Sequence, residues 1–333
     1  MSVSPAFVIL TGLALTFAFL DGFHNCANIV ATVIASRAMR PRTALLVAAV
    51  AELIGPFLFG TAVAKTIGVD LVEADAVTVA VVAAAVLAAI LWKLITWYPG
   101  LPSSSSHSLF GGLIGAVVVS SGISALKPEG MITIILALLL SPILGFLGGY
   151  FIMALTLFLT RNSTPSVNLL FKRGQLFTSV ALALSHGSNS AQKIMGILVL
   201  GLISTGLLGS FSTPTWIVAT SASAIALGTA LGGQRIIRTV GQKIYKIRPI
   251  HGLTAQGTSA VIVLGASLIG GPVSTTQTVS STIVGVGSAE RLSKVRWKVF
   301  YEIGLAWILT IPATILLAIG LYFPIEFLLE IIE

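Results

Sequence analysis

The chain has 333 residues, 56% of them hydrophobic with 33 glycines besides, and only 9% are charged, against about 25% in an ordinary soluble domain. That excludes a soluble globular protein. A hydrocarbon core of about 30 Å takes about 20 helical residues per crossing, so this length permits at most about twelve spans and leaves little for a water-soluble domain. The net charge of +8 does not point to nucleic acid, because Lys and Arg fall mostly in short loops between apolar runs and read as topology signals. Cys26 is the single cysteine, which excludes a disulfide within the chain and a cysteine-rich metal site. The first positive charge is Arg37, so no cleavable signal peptide is expected.

In chain order, apolar runs fall near 6–36, 44–64, 76–96, 131–160, 174–201, 215–234, 250–270 and 299–323. Two further stretches, 102–120 and 271–289, open with Pro and runs of hydroxyl residues and are expected to be interrupted or re-entrant helices. Run 6–36 is long for one straight span and carries the polar cluster DGFHNCAN, Asp21 to Asn28, in its middle. Polar groups at that depth are costly unless they face protein or a wet cavity.

The same arrangement occurs twice. The segment from Gly22 to Ile29 aligns with Gly187 to Ile194 at an offset of 165, Lys65 to Gly68 with Arg238 to Gly241 at 173, and Pro102 to Ser108 with Pro272 to Thr278 at 170. Three landmarks in one order argue for a duplication, with a first repeat over 1–160, a connector over 161–173 and a second repeat over 174–333. Loop charge separates parallel from inverted copies. Loop 37–42 holds Arg37, Arg40 and Arg42, while its partner near 202–207 is uncharged; loop 65–75 sets Lys65 against Asp70, Glu73 and Asp75, while its partner 235–248 holds five basic residues. Loop 120–130 is balanced, while its partner 290–298 is basic. The basic member alternates, as inverted copies require. The expected fold is therefore an all-α polytopic membrane protein of two inverted repeats. It has about ten crossings, discontinuous or re-entrant helices, a cytoplasmic connector and both termini outside. Inverted repeats with broken helices near the midplane are the architecture of secondary transporters.

Pseudo-symmetry would bring the four polar motifs to one site. The runs Ser103 to Ser106 and Ser274 to Thr276 follow a Pro and precede an apolar helix, as a helix N-terminus does. Such termini offer free N–H groups, the positive end of a dipole and hydroxyl donors, which suits a small, multiply charged oxyanion. Breaks expected at Gly22 and Gly187 would free backbone carbonyls, and with Asp21, Asn25, Asn28, Asn189 and Ser190 these could hold a cation such as sodium. Each feature has a plainer reading. Ser and Thr in membrane helices also bond back to their own helix or pack small at interfaces. His24, His107 and His186 read as hydrogen-bonded struts, and Cys26 as a small filler. Glu52, in an otherwise apolar span, suggests an ion or proton role. No GxxxxGK[ST] or HExxH motif is present, and Ser190-Ala191-Gln192-Lys193 matches S-x-x-K without its companion motifs, so no enzyme is expected.

These residues resemble the inorganic phosphate transporter (PiT) family, whose signatures read approximately NGFHDAAN and HGSNDAQKxMG. Here they stand as DGFHNCAN (Asp21 to Asn28) and HGSNSAQKIMG (His186 to Gly196). PSSSSHSLFGGLIG, GGPVSTTQTVSSTIVGVG and FGTAVAKTIG at 59–68 are similar to that family too, and the similarity spans nearly the whole chain. The resemblance implies a homodimer in the plasma (inner) membrane that symports phosphate with sodium or protons and has no other cofactor. It implies substrate contacts from Asn28, Ser104, Ser105, Ser106, Asn189, Gln192, Ser274, Thr275 and Thr276. Together with Asp21 and Glu52, read above from the residues themselves, cation coupling would fall to Asp21, Asn25, Ser190 and Glu52, with sodium at Asp21, Asn25, Asn189 and Ser190.

The chain departs from the pattern in both signatures. Asn25 and Ser190 stand where the family has Asp, and Asp21 stands where it commonly has Asn. A carboxylate binds a coupling cation and accepts the proton that phosphate carries and sulfate lacks, whereas a site built only from donors loses that discrimination. The sequence reading is a phosphate symporter. Its alternatives are a transporter of another tetrahedral oxyanion such as sulfate, and a membrane anion-binding or sensing paralogue.

Overall fold

The computed structural model describes residues 5–332, and among them the chain is all helical, with one isolated β-bridge between Val72 and Leu126. The first half runs α1 (Pro5–Ala35), α2 (Pro41–Leu58), α3 (Ala62–Val69), α4 (Val79–Trp97), α5 (Ser105–Ser121) and α6 (Pro128–Thr160). The second runs α7 (Val167–Ser204), α8 (Thr215–Leu231), α9 (Gln234–Arg238, continued as a π-turn to Lys243), α10 (Pro249–Leu268), α11 (Thr275–Arg291) and α12 (Trp297–Ile332). Five helices, α1, α2, α4, α6 and α12, are each long and apolar enough to cross a membrane, and α8 with α9 forms a sixth candidate bent by 64°. The 33-residue α6 is about 50 Å long, more than a bilayer core of about 30 Å requires. The 17-residue α5 and α11 reach only about 25 Å, so each begins inside the protein.

The expected breaks at Gly22 and Gly187 do not occur: α1 and α7 run unbroken through them. The polar residues keep the helical spacing instead, with Asp21, Asn25 and Asn28 on one stripe of α1 and His186, Ser190 and Lys193 on the matching stripe of α7. The two glycines serve close approach. A Cβ on Gly22 would lie 2.0 Å from the Ile225 carbonyl oxygen on α8, and one on Gly187 would lie 2.5 Å from the Glu52 carbonyl oxygen on α2. The interruptions fall elsewhere. Run 44–64 splits between α2 and α3, where Gly60 takes φ 74°, and the connector is shorter than 161–173 because α7 already starts at Val167.

Helices pack across the two halves in matched pairs, α1 with α8 and α2 with α7, α5 with α12 and α6 with α11. The small-residue contacts repeat as well. Gly55 meets the Leu184 carbonyl on α7 as Gly228 meets the Phe19 carbonyl on α1, and Gly115 meets Ile315 on α12 as Gly285 meets Phe146 on α6. Without a hydrophobic driving force between helices in lipid, such backbone approach is what holds a bundle together. In their most apolar stretches α6 and α12 are only 28% and 17% buried and form the outer wall, whereas α4 is 67% buried and lies inside.

The loops gather at two ends. At one, Glu73 N–H donates to the Ala125 carbonyl and Lys127 N–H to that of Leu71. At the other, the Arg235 guanidinium donates to the Tyr98 carbonyl, Thr239 to that of Gly100, and Arg296 N–H to that of Ile244. Two apolar clusters fill the interior. One is built on Leu10, Phe17, Leu109 and Met195 and the other on Ile29, Leu182, Val240 and Val279. Between them lies a polar layer contributed by α1, α4, α5, α7 and α11.

Candidate functional site: two opposed helix ends and two buried lysines

The first turns of α5 and α11 meet tip to tip. Ser106 Oγ donates to the Val273 carbonyl over 3.1 Å, and Thr276 Oγ1 lies 3.4 Å from the Ser103 carbonyl. Each helix is capped by its own serine: Ser104 Oγ accepts from His107 N–H at 3.2 Å and Ser274 Oγ from Gln277 N–H at 3.3 Å. The caps are tied together, because His107 Nδ1 lies 2.7 Å from Ser104 Oγ while its Nε2 lies 3.4 Å from Gln277 Nε2. The positive ends of both helix dipoles therefore point at one place.

The polar stripe of α1 lies against that place. Asn25 Nδ2 donates to Asp21 Oδ1 at 2.8 Å and reaches Ser105 Oγ at 3.4 Å. Its Oδ1 accepts from Thr276 Oγ1 at 3.2 Å and from Asn28 Nδ2 at 3.4 Å, and Asn28 Nδ2 also donates to Thr276 Oγ1 at 3.0 Å. Two lysines complete the layer, both with essentially no exposure. Lys93 on α4 pairs with Asp21, Nζ to Oδ1 3.0 Å, and sits 5.7 Å from the centre of the Phe17 ring. Lys193 on α7 donates to Ser105 Oγ at 3.3 Å and Ser106 Oγ at 3.2 Å. One carboxylate against two ammonium groups leaves this layer a formal +1, and the helix ends and hydroxyls add donors. Such a set has the chemistry to hold a small oxyanion. Asp21 Oδ2, Asn28 Oδ1 and Thr275 Oγ1 are buried with no protein partner; the first two are acceptors for a proton on a guest.

The sequence-predicted residues divide here. Asp21, Asn25, Asn28, Ser105, Ser106 and Thr276 form one bonded set, with Ser104 and Ser274 as the caps. Gln192 turns away: its Oε1 accepts Val63 N–H at 2.7 Å, holding the first turn of α3, and its Nε2 donates to Ser188. Asn189 Nδ2 donates to Ser267 on α10 at 2.9 Å. Ser190 Oγ lies 3.3 Å from His186 Nε2, and the other ring nitrogen of His186 pairs with Glu52. That order of Ser, His and carboxylate matches a hydrolase triad, but all three side chains are fully buried, and Lys193 points to Ser105 and Ser106 rather than to Ser190. His107 and His186 are the struts expected of them, whereas neither nitrogen of His24 has a hydrogen-bond partner among the described residues. Cys26 accepts the Gly233 N–H at 3.2 Å. Reading the motifs alone misses both lysines. Lys93 carried a signal, as a lone charge in the apolar run 76–96, and Lys193 carried one as the residue aligned with Asn28.

The phosphate transporter family matches residues 21–318. The chain belongs to that family. It is 41% identical over 322 residues to a Bacillus subtilis protein named "Probable low-affinity inorganic phosphate transporter", covering 95% of this chain and 96% of that one. A Rhizobium meliloti protein of the same name is 40% identical over 331 residues, covering 98% and 99%. Among solved structures, "The sodium-dependent phosphate transporter" superposes with a TM-score of 0.87 at 26% identity, covering 97% of this chain and 99% of that one. The chain is an integral membrane protein of this family, and nothing in the family match or in those names points to catalysis.

Proposed function

We propose that this chain is a secondary active transporter of inorganic phosphate, a symporter driven by a sodium or proton gradient, working by alternating access. The observation that carries this reading is the meeting of the α5 and α11 N-termini, with Lys193 donating to Ser105 and Ser106 at the junction. Phosphate is held there by N–H groups of both first turns, by the hydroxyls of Ser105, Ser106, Thr275 and Thr276, and by Lys193. Asn28 Oδ1 accepts the proton on phosphate, which gives the site a means of telling phosphate from sulfate. Asn189 and Gln192 act as supports of α10 and α3 rather than as ligands. The exchange of helix pairs between the halves supports inverted repeats, with the bundle rocking about the central layer.

The excess of Lys and Arg at the end carrying Arg37, Arg235 and Arg296 supports a cytoplasmic assignment for that end and puts both termini outside. The protein works in the plasma membrane as a homodimer, by resemblance to its family. Uptake of labelled phosphate into proteoliposomes, with a sodium or pH gradient imposed in turn and sulfate as competitor, tests the reading. Gradient-driven uptake that resists excess sulfate is expected. Block by sulfate would make the substrate a tetrahedral oxyanion of either kind, and no uptake under any gradient would leave an anion-binding protein.

A further inference from the structure

We propose that Lys93 is a tethered cation that takes the place of a coupling sodium ion at Asp21, so that phosphate movement through this chain does not depend on sodium. This rests on the transport reading above. Among the described residues, only Asp21 and Glu52 are carboxylates with no exposure, and Glu52 is held by His186. Asp21 is therefore the buried carboxylate that faces the lysines: its Oδ1 lies 3.0 Å from Lys93 Nζ in an ion pair and accepts Asn25 Nδ2 at 2.8 Å.

Sodium needs several oxygens converging on one point. Most polar atoms of the four residues expected to supply them are committed to other partners. Asn25 turns its amide N–H to Asp21 and commits its oxygen to Asn28 and Thr276. Ser190 bonds His186, and Asn189 donates its amide N–H to Ser267 on α10 while its Oδ1 is buried with no protein partner. The unbroken helices at Gly22 and Gly187 release no carbonyls. Asp21 Oδ2 has no protein partner, but a sodium ion there would add a positive charge to a layer that already sets Lys93 and Lys193 against one carboxylate. The residues present do not fit sodium.

An ammonium on a side chain supplies the same charge at the same carboxylate without having to be captured from solution. Phosphate then meets a layer that is always in its cation-loaded condition, and its binding carries no sodium requirement. The structurally similar protein whose name states sodium dependence shares only 26% of its residues with this chain, so a change of coupling within the fold is compatible with the match.

Purified protein in proteoliposomes, given labelled phosphate in sodium, potassium or choline chloride at one pH, tests this. Wild-type uptake is expected to be the same in all three salts. Lys93→Ala strips Asp21 of its cation, so its uptake is expected to fall about tenfold in potassium and to be restored by sodium, the scale of one charge-assisted contact. Lys93→Arg is expected to stay indifferent to sodium. Wild-type uptake that requires sodium, or an active Lys93→Ala protein no more sodium-dependent than wild type, overturns the proposal. Should Lys93→Ala fail to fold, the wild-type salt comparison decides alone. Should wild type take up no phosphate in any salt, the transport reading fails separately. The rise in melting temperature on adding inorganic phosphate then decides this proposal: an equal rise in sodium and potassium supports it, and a rise, or any binding, that requires sodium overturns it.

Discussion

Replacing Lys193 with methionine removes a charge while keeping most of the side chain's length. Nζ lies 3.3 Å from Ser105 Oγ and 3.2 Å from Ser106 Oγ, in the first turn of α5, so an anion seated on that turn comes within about 4 Å of it. Two unit charges at that distance attract by about 4 kcal/mol at an effective dielectric of about 20. Desolvation takes back part of this, and a charge-assisted hydrogen bond is worth about 1.5–3 kcal/mol net. Phosphate binding should therefore weaken by about 10- to 150-fold. The fold should survive, because Ser106 keeps its bond to Val273 and Ser105 keeps Asn25. Titration calorimetry with inorganic phosphate at constant ionic strength, on protein whose melting temperature is unchanged, measures the effect. Affinity within about threefold of wild type, less than the smallest single charged contact is worth, would refute the placement of the anion beside Lys193.

Three further outcomes follow from the packing. Gly22→Ala and Gly187→Ala each drive a Cβ into a carbonyl oxygen of α8 or α2, at 2.0 Å and 2.5 Å. Each should lower stability by about 1–3 kcal/mol or more in detergent melts, and a wild-type melting curve for both would remove the close-approach role. Glu52→Leu removes the buried partner of His186 and should cost about 1–3 kcal/mol, part of it recovered by adding His186→Leu; a silent single variant would show that the pair holds nothing together. Because Cys26 is fully buried, a cysteine introduced at Lys243 or Glu129 can be read alone. An impermeant thiol reagent on intact cells should label the Glu129→Cys protein and spare the Lys243→Cys protein, and the reverse pattern would invert the assigned topology.

The opposed hydroxyl-rich helix starts were legible in the sequence because a Pro followed by Ser or Thr marks a helix N-terminus wherever it occurs, and the motif occurs twice, before α5 and before α11. The continuity of α1 and α7 through Gly22 and Gly187 is not legible in the sequence at the glycines themselves, for a physical reason. Glycine beside polar residues in an apolar run suits an unwound turn, but it suits equally a helix that presses its backbone on a neighbour, and Ile225 and Glu52, which decide between these, are far along the chain. The i, i+4, i+7 spacing of Asp21, Asn25 and Asn28 was the local sign that the helix continues. Lys93 stands out as the lone charge of run 76–96, but its partner Asp21 lies on another helix, so its place in the site is visible only in the packed structure. The destination of Gln192, the N–H of Val63, could be seen only once α3 and α7 were packed together.

The central claim is that one tetrahedral anion sits between the ends of α5 and α11, and the most direct measurement is a density map of the protein saturated with inorganic phosphate. The expected result is a single anion within hydrogen-bond distance of Ser105, Ser106, Thr276 and Lys193, with Lys93 still on Asp21. An empty junction, with phosphate bound elsewhere in the molecule, would contradict it.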